Sequence, residues 1–65
     1  MYQVGDRVAY RRRTGYLEVA TVVEVQGDIV VVDCEDFGKV HVHSANSFEA
    51  GSRDWVERAA DPAAN

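Results

Sequence analysis

A chain of 65 residues with 46% apolar side chains is one small domain, and that apolar share excludes a disordered segment. It buries only about 60% of the surface it exposes when unfolded, so it holds one small core and no deep cleft. The net charge of −4 excludes a general nucleic-acid binder, because phosphate affinity is built from accumulated positive charge.

No apolar run is long enough to span a membrane, and Met1-Tyr2-Gln3-Val4-Gly5-Asp6 lacks the apolar block of a signal peptide. The single Cys34 has no internal disulfide partner and suits a reducing compartment, so a cytoplasmic protein is expected. The charge is uneven. Arg7, Arg11, Arg12 and Arg13 stand against Asp6 in the first thirteen residues, while acids dominate the remainder. The arginine cluster keeps a local phosphate or acidic-protein contact open, and the acidic remainder suits a basic partner.

In chain order, Val4-Gly5-Asp6 leads into a first strand over Arg7 to Arg11, with Val8 and Tyr10 on one face. Arg12-Arg13-Thr14-Gly15 is a polar turn. Strand two runs from Tyr16 to Val25. Its alternation Leu17, Val19, Thr21, Val23, Val25 predicts a core face, with Ala20 and Val22 giving the other face some apolar character. Gln26-Gly27-Asp28 is a hairpin signal, and the β-branched run from Ile29 opens strand three, which ends at Asp33. Cys34 to Gly38 is a second turn. Strand four, Lys39 to His43, turns Val40 and Val42 inward and Lys39, His41 and His43 outward. Ser44 to Ser47 reads as a single 3₁₀ turn, after which Phe48 returns to the core in a brief fifth strand.

Residues 53–60 admit two readings. Ser52 and Asp54 suit the start of a helix that Asp61-Pro62 would end. Alternatively, Asp54-Trp55-Val56 is a closing strand. The division expected is a barrel over residues 1–52 and a short helix or tail over 53–65. Where exposed, Val22, Trp55 or Val56 would serve a dimer; the oligomeric state is open.

Five short strands in a meander with a 3₁₀ turn before the last describe an all-β chain. Val4-Gly5-Asp6-Arg7-Val8, Gly38-Lys39-Val40-His41-Val42-His43 and Ser47-Phe48-Glu49 resemble the opening, fourth strand and 3₁₀ exit of small SH3-like barrels of the KOW and Tudor type. The resemblance covers about residues 4–50. It implies a five-stranded barrel that meets partners at one rim, with Tyr16 and Phe37 matching loop aromatics of a Tudor cage. Gly5-Asp6-Arg7-Val8 is also similar to the opening of the plasmid-borne type II dihydrofolate reductases, tetrameric barrels with a central pore. Where that family carries Val-Gln-Ile-Tyr, this chain has Val40-His41-Val42-His43, so the two side chains expected to meet cofactor and folate are replaced.

In a meander, alternate turns share an end. The strand one–two and three–four loops should therefore gather Arg11, Arg12, Arg13, Tyr16, Phe37 and Lys39 at one rim, beside Asp36. Aromatics next to cations can stack bases, hold a methylated side chain or pack a peptide. The plain alternative is that Tyr16 and Phe37 cap the core and the arginines are a solvated loop. His41 and His43 share a face and complete the candidate binding set; with only Cys34 nearby and no third ligand at a recognisable spacing, they read as exposed strand histidines. No cofactor, metal or catalytic group is implied. Asp36-Phe37-Gly38 spells the kinase tripeptide without the other kinase motifs.

The function expected is a non-enzymatic interaction module that binds a protein through this rim, a nucleic acid being the less favoured ligand. The alternative is a small acidic inhibitor of the kind phages encode, placed in the basic groove of a host protein. The remote alternative is the oligomeric, pore-forming enzyme.

Overall fold

The computed structural model describes residues 1–58. Its strands are β1 (Arg7–Arg12), β2 (Leu17–Gln26), β3 (Ile29–Cys34), β4 (Gly38–His43) and β5 (Asp54–Arg58). All neighbours are antiparallel, in the order β4-β3-β2-β1-β5. The sheet is strongly curled into a half-barrel, and its two outer strands approach one another across the open side. There, Asn46 Nδ2 donates to the Asp54 carbonyl at 3.0 Å.

Each of the first four strands begins and ends within one residue of its predicted limits. The β2–β3 turn shows why short signals suffice. Gln26 pairs with Ile29, which leaves Gly27 and Asp28 as a two-residue loop. Gly27 has φ +59° and Asp28 has no positive φ, the φ pattern of a type II′ turn. Such a turn matches the right-handed twist of the flanking strands.

The core consists of Val8 and Tyr10 from β1, Ala20 and Val22 from β2, Val30, Val32 and Cys34 from β3, Val42 from β4 and Val56 from β5. β1 and β4 face as predicted, with Val40 and Val42 inward and Lys39, His41 and His43 exposed. β2 does not. Leu17 and Val19 are 52% and 51% exposed, while Ala20 and Val22 are buried. A β-bulge explains the error. Val22 pairs with Val32 and Glu24 pairs with Val31, so Val23 is the extra residue. One added residue reverses which alternate positions face inward. Val25 therefore packs on the core, whereas Leu17 and Val19 lie on the outer face.

The chain after β4 also differs from expectation. His43–Asn46 and Phe48–Gly51 are each closed by a carbonyl accepting from the amide three residues on, at 3.0 Å. Neither turn is extended into a 3₁₀ helix. Phe48 is 60% exposed in the second turn and does not form a strand. Of the two readings of residues 53–60, the closing strand is the one found and the helix is not: Asp54–Arg58 is β5, paired with β1 from Val8↔Arg58 to Arg12↔Asp54. A two-turn helix has little stability of its own. The same residues laid along β1 satisfy its free edge and bury Trp55 and Val56. Val22, Trp55 and Val56 are all buried, so none is a free dimer surface. Ala59 and Ala60, the end of that expected helix, and the tail beyond lie outside the described residues. Among the described residues, no helix is long and apolar enough to cross a membrane.

Candidate functional site

The curl brings the β1–β2 and β3–β4 turns together. The Tyr16 and Phe37 rings lie edge to face with centroids 4.7 Å apart, and both meet Tyr10, at 6.3 and 6.0 Å. Tyr10 reaches this end from the floor of the core and is fully buried. Phe37 is 48% exposed. The Arg12 guanidinium lies 5.3 Å from the Phe37 ring centroid, within cation–π range.

A polar chain runs beneath the rings. Arg12 Nη1 donates to the Tyr10 hydroxyl at 3.1 Å, and that hydroxyl donates to Asp54 Oδ2 at 3.0 Å. Burial raises the Tyr10 pKa; the hydrogen bond from Arg12 opposes this and the one to Asp54 adds to it. Tyr10 thus stays a neutral donor to Asp54 while it accepts from Arg12.

Glu18 fastens the β3–β4 turn. Its carboxylate accepts from the Tyr16 hydroxyl and from the amides of Glu35 and Asp36. The Tyr16 bond lowers the Glu18 pKa most; burial opposes it, and the Glu35 and Asp36 amides each lower it further by less. The Tyr16 pKa is raised, first by its bond to Glu18, then by burial and by the charges of Glu18 and Asp36. Glu18 faces the same side as Tyr10, its register partner on β1.

The three arginines have three different tasks. Arg11 Nε pairs with Glu57 Oε1 at 2.8 Å, and Trp55 Nε1 donates to Glu57 Oε2 at 2.8 Å. The Trp55 bond and then Arg11 lower the Glu57 pKa, partly countered by burial. Arg13 is a clip. Its Nε donates to the Ser52 carbonyl at 2.8 Å and its Nη2 to the Phe48 carbonyl at 2.6 Å. Its guanidinium lies 4.7 Å from the Phe48 centroid and 5.6 Å from Trp55. Arg12 is the least committed of the three, and among the described residues neither Arg12 nor Arg13 forms an ion pair. The arginines, Tyr16, Phe48 and Trp55 border a depression of about 200 Å³.

Arg11, Arg12, Arg13, Tyr16 and Phe37 thus lie at one end. The other three candidates do not join them as a cluster. Lys39, His41 and His43 follow the outer face of β4, opposite Asp33, Val31 and Ile29 respectively, and lead away from this end. His43 Nδ1 accepts from the Ala45 amide at 3.1 Å. Cys34 points into the core, away from both histidines, and burial, then Glu18 and Asp33, push its thiol up to about 11. Among the described residues, no three His, Cys, Asp or Glu side chains converge as metal ligands would.

Sequence reading missed Tyr10, Glu18, Phe48, Asp54 and Trp55 as members of this end. The alternation of β1 marks Tyr10 only as a core residue, and the four others arrive through the β1–β5 pairing and the turn contacts. The register partner of Arg11 is Trp55, a relation that no local pattern announces. At the opposite end, Tyr2, Val25, Gly27, Asp28 and Val30 border a second hollow of about 300 Å³.

The fold and these contacts define a small all-β protein with an aromatic and arginine-lined end on a curled five-stranded sheet. No family model matches this chain, nor does any curated protein or solved structure.

Proposed function

We propose that this protein is a non-enzymatic, SH3-like interaction module that binds a protein partner through the rim of its β1–β2 and β3–β4 turns. The observation that carries the reading is the half-exposed Phe37, held edge-on by Tyr10 and Tyr16 and covered on one side by Arg12. A rigid aromatic beside a cation with free donors offers a partner both apolar contact and a hydrogen-bonding charge. Fixing the ring in advance lowers the ordering cost of binding.

A protein ligand is favoured over nucleic acid for two reasons. The chain is acidic overall, and of the three rim arginines Arg11 is neutralised by Glu57 while Arg13 spends its donors on backbone carbonyls. Two rim arginines without an ion pair, Arg12 and Arg13, are too little charge to hold a phosphate backbone at physiological salt on a chain that is acidic overall. The ligand expected is a short segment with an apolar side chain for Phe37 and a carboxylate or carbonyl for Arg12.

Selection from a displayed random-peptide library tests this. Peptides enriched on the wild-type protein should be lost on an Arg12→Ala, Phe37→Ala double variant whose circular dichroism is unchanged. Peptides that bind both equally, or a failure to enrich any, would overturn the reading. A single-stranded oligonucleotide that binds more tightly than every selected peptide would shift it to nucleic acid.

A further inference from the structure

β2 is the middle strand of the sheet, and between Leu17 and Val22 it carries apolar residues on both faces. The inner face presents Ala20 and Val22 to the core. The outer face presents Leu17, Val19 and Thr21, which lead up to the bulge at Val23. A strand with one wet face alternates apolar with polar residues, whereas a strand apolar on both faces is the pattern of two-sided burial. Leu17 and Val19 are nonetheless half exposed. Ala9, the register partner of Val19 on β1, extends the apolar surface sideways. Leu17, Val19 and Ala9 thus form a short, half-exposed apolar strip on the outer face, beside the charged side chains of Arg7 and Asp33.

We propose that a second copy of this chain covers it, as a symmetric homodimer with the two-fold axis along β2. Charge complementarity selects the second copy. At the level of Thr21 the outer face carries Arg7 on β1 to one side and Asp33 on β3 to the other, in register with it. Both are exposed, and among the described residues neither forms an ion pair; Lys39 stands beyond Asp33 on β4. A rotation of 180° about β2 lays β1 of one protomer over β3 of its partner at the same level. Arg7 of each copy then meets the acid at position 33 of the other, twice by symmetry. On the axis, Leu17 and Val19 meet their own counterparts. Because the sheet is curled, the two outer faces meet along β2, with Arg7 and Asp33 one strand to either side of that line. The interface is isologous, so it closes at two copies and does not propagate.

Sedimentation velocity of the full chain from about 1 µM to about 500 µM tests this, a range that covers weak and moderate dimers. The expected result is a monomer–dimer equilibrium. Val19→Lys and, separately, Leu17→Lys should leave a folded monomer across the range; both sites are half exposed, so folding is retained and checked by circular dichroism. Arg7→Asp and Asp33→Arg should each weaken the dimer about tenfold or more, and the two together should restore it. A wild-type monomer at every concentration overturns the proposal and leaves the face to a different protein. A dimer insensitive to Val19→Lys, or charge reversals that do not rescue one another, overturns it equally.

Discussion

Glu18 shows how one side chain can hold a candidate binding surface together. It is placed two residues after Tyr16 and faces the β3–β4 turn, where its carboxylate takes one hydroxyl and two amides. Its pKa is lowered in the fold, so the stability it contributes is present above the ordinary glutamate range, near pH 4.3, and lost as pH falls through the lower folded value. Tyr16 runs the other way. Its pKa is raised, so its contribution is present below about pH 10 and lost as pH rises beyond it. Thermal unfolding against pH should show a plateau between these limits, and Glu18→Gln should flatten the acid side. An acid limb unchanged in that variant would assign the acid loss to other carboxylates. Tyr10→Phe leaves Asp54 Oδ2 without the hydroxyl that donates to it, and should cost about 1–2 kcal/mol in denaturant unfolding.

At the scale of elements, the β4–β5 connection is held by Arg13. Lysine cannot replace it, because the planar fork donates to two carbonyls while stacking on Phe48 and Trp55. Arg13→Lys should raise amide hydrogen exchange across residues 47–53 and leave β3 and β4 unchanged; unaltered exchange there would show that the clip is dispensable. The bulge yields a sharper prediction. Deleting Val23 forces either Val25 out of the core or Val22 and Ala20 out of it, and should cost several kcal/mol by urea unfolding. A deletion that costs less than about 1 kcal/mol would mean that the register slips freely. The same elements mark what could be read from sequence. Four strands and their turns were legible because alternation, glycine and β-branching act over neighbouring residues. The facing of β2 was not, because Leu17 to Val25 is apolar at both parities and only a long-range register decides between them. β5 was half legible. Asp54-Trp55-Val56 suits a helix start and a strand equally, and the choice is made by the free edge of β1, whose residues precede their β5 partners by 42 (Arg12↔Asp54) to 50 (Val8↔Arg58) positions.

At the scale of the whole molecule, curling brings the first and third turns to one end and leaves the β2–β3 turn at the other. That placement follows from the meander, and for this reason Tyr16 and Phe37 could be paired from sequence though separated by twenty positions. The role of the arginines could not. As a cluster in the chain they suggest one anionic ligand, yet the fold sends Arg11 to Glu57, Arg13 to two carbonyls beside Phe48 and Trp55, and Arg12 to Phe37. Arg12 and Phe37 lie on the Tyr10 side of the sheet end, whereas Arg11 is the register partner of Leu17, so the rim and the proposed dimer face adjoin at Arg11. The most direct test of the central proposal is a map of amide chemical shifts by ¹⁵N–¹H correlation as a wild-type-selected peptide is titrated in. The largest changes are expected at Arg12, Tyr16 and residues 35–38, with the β2–β3 turn unmoved. Changes confined to that turn or to the outer face of β2 would contradict it.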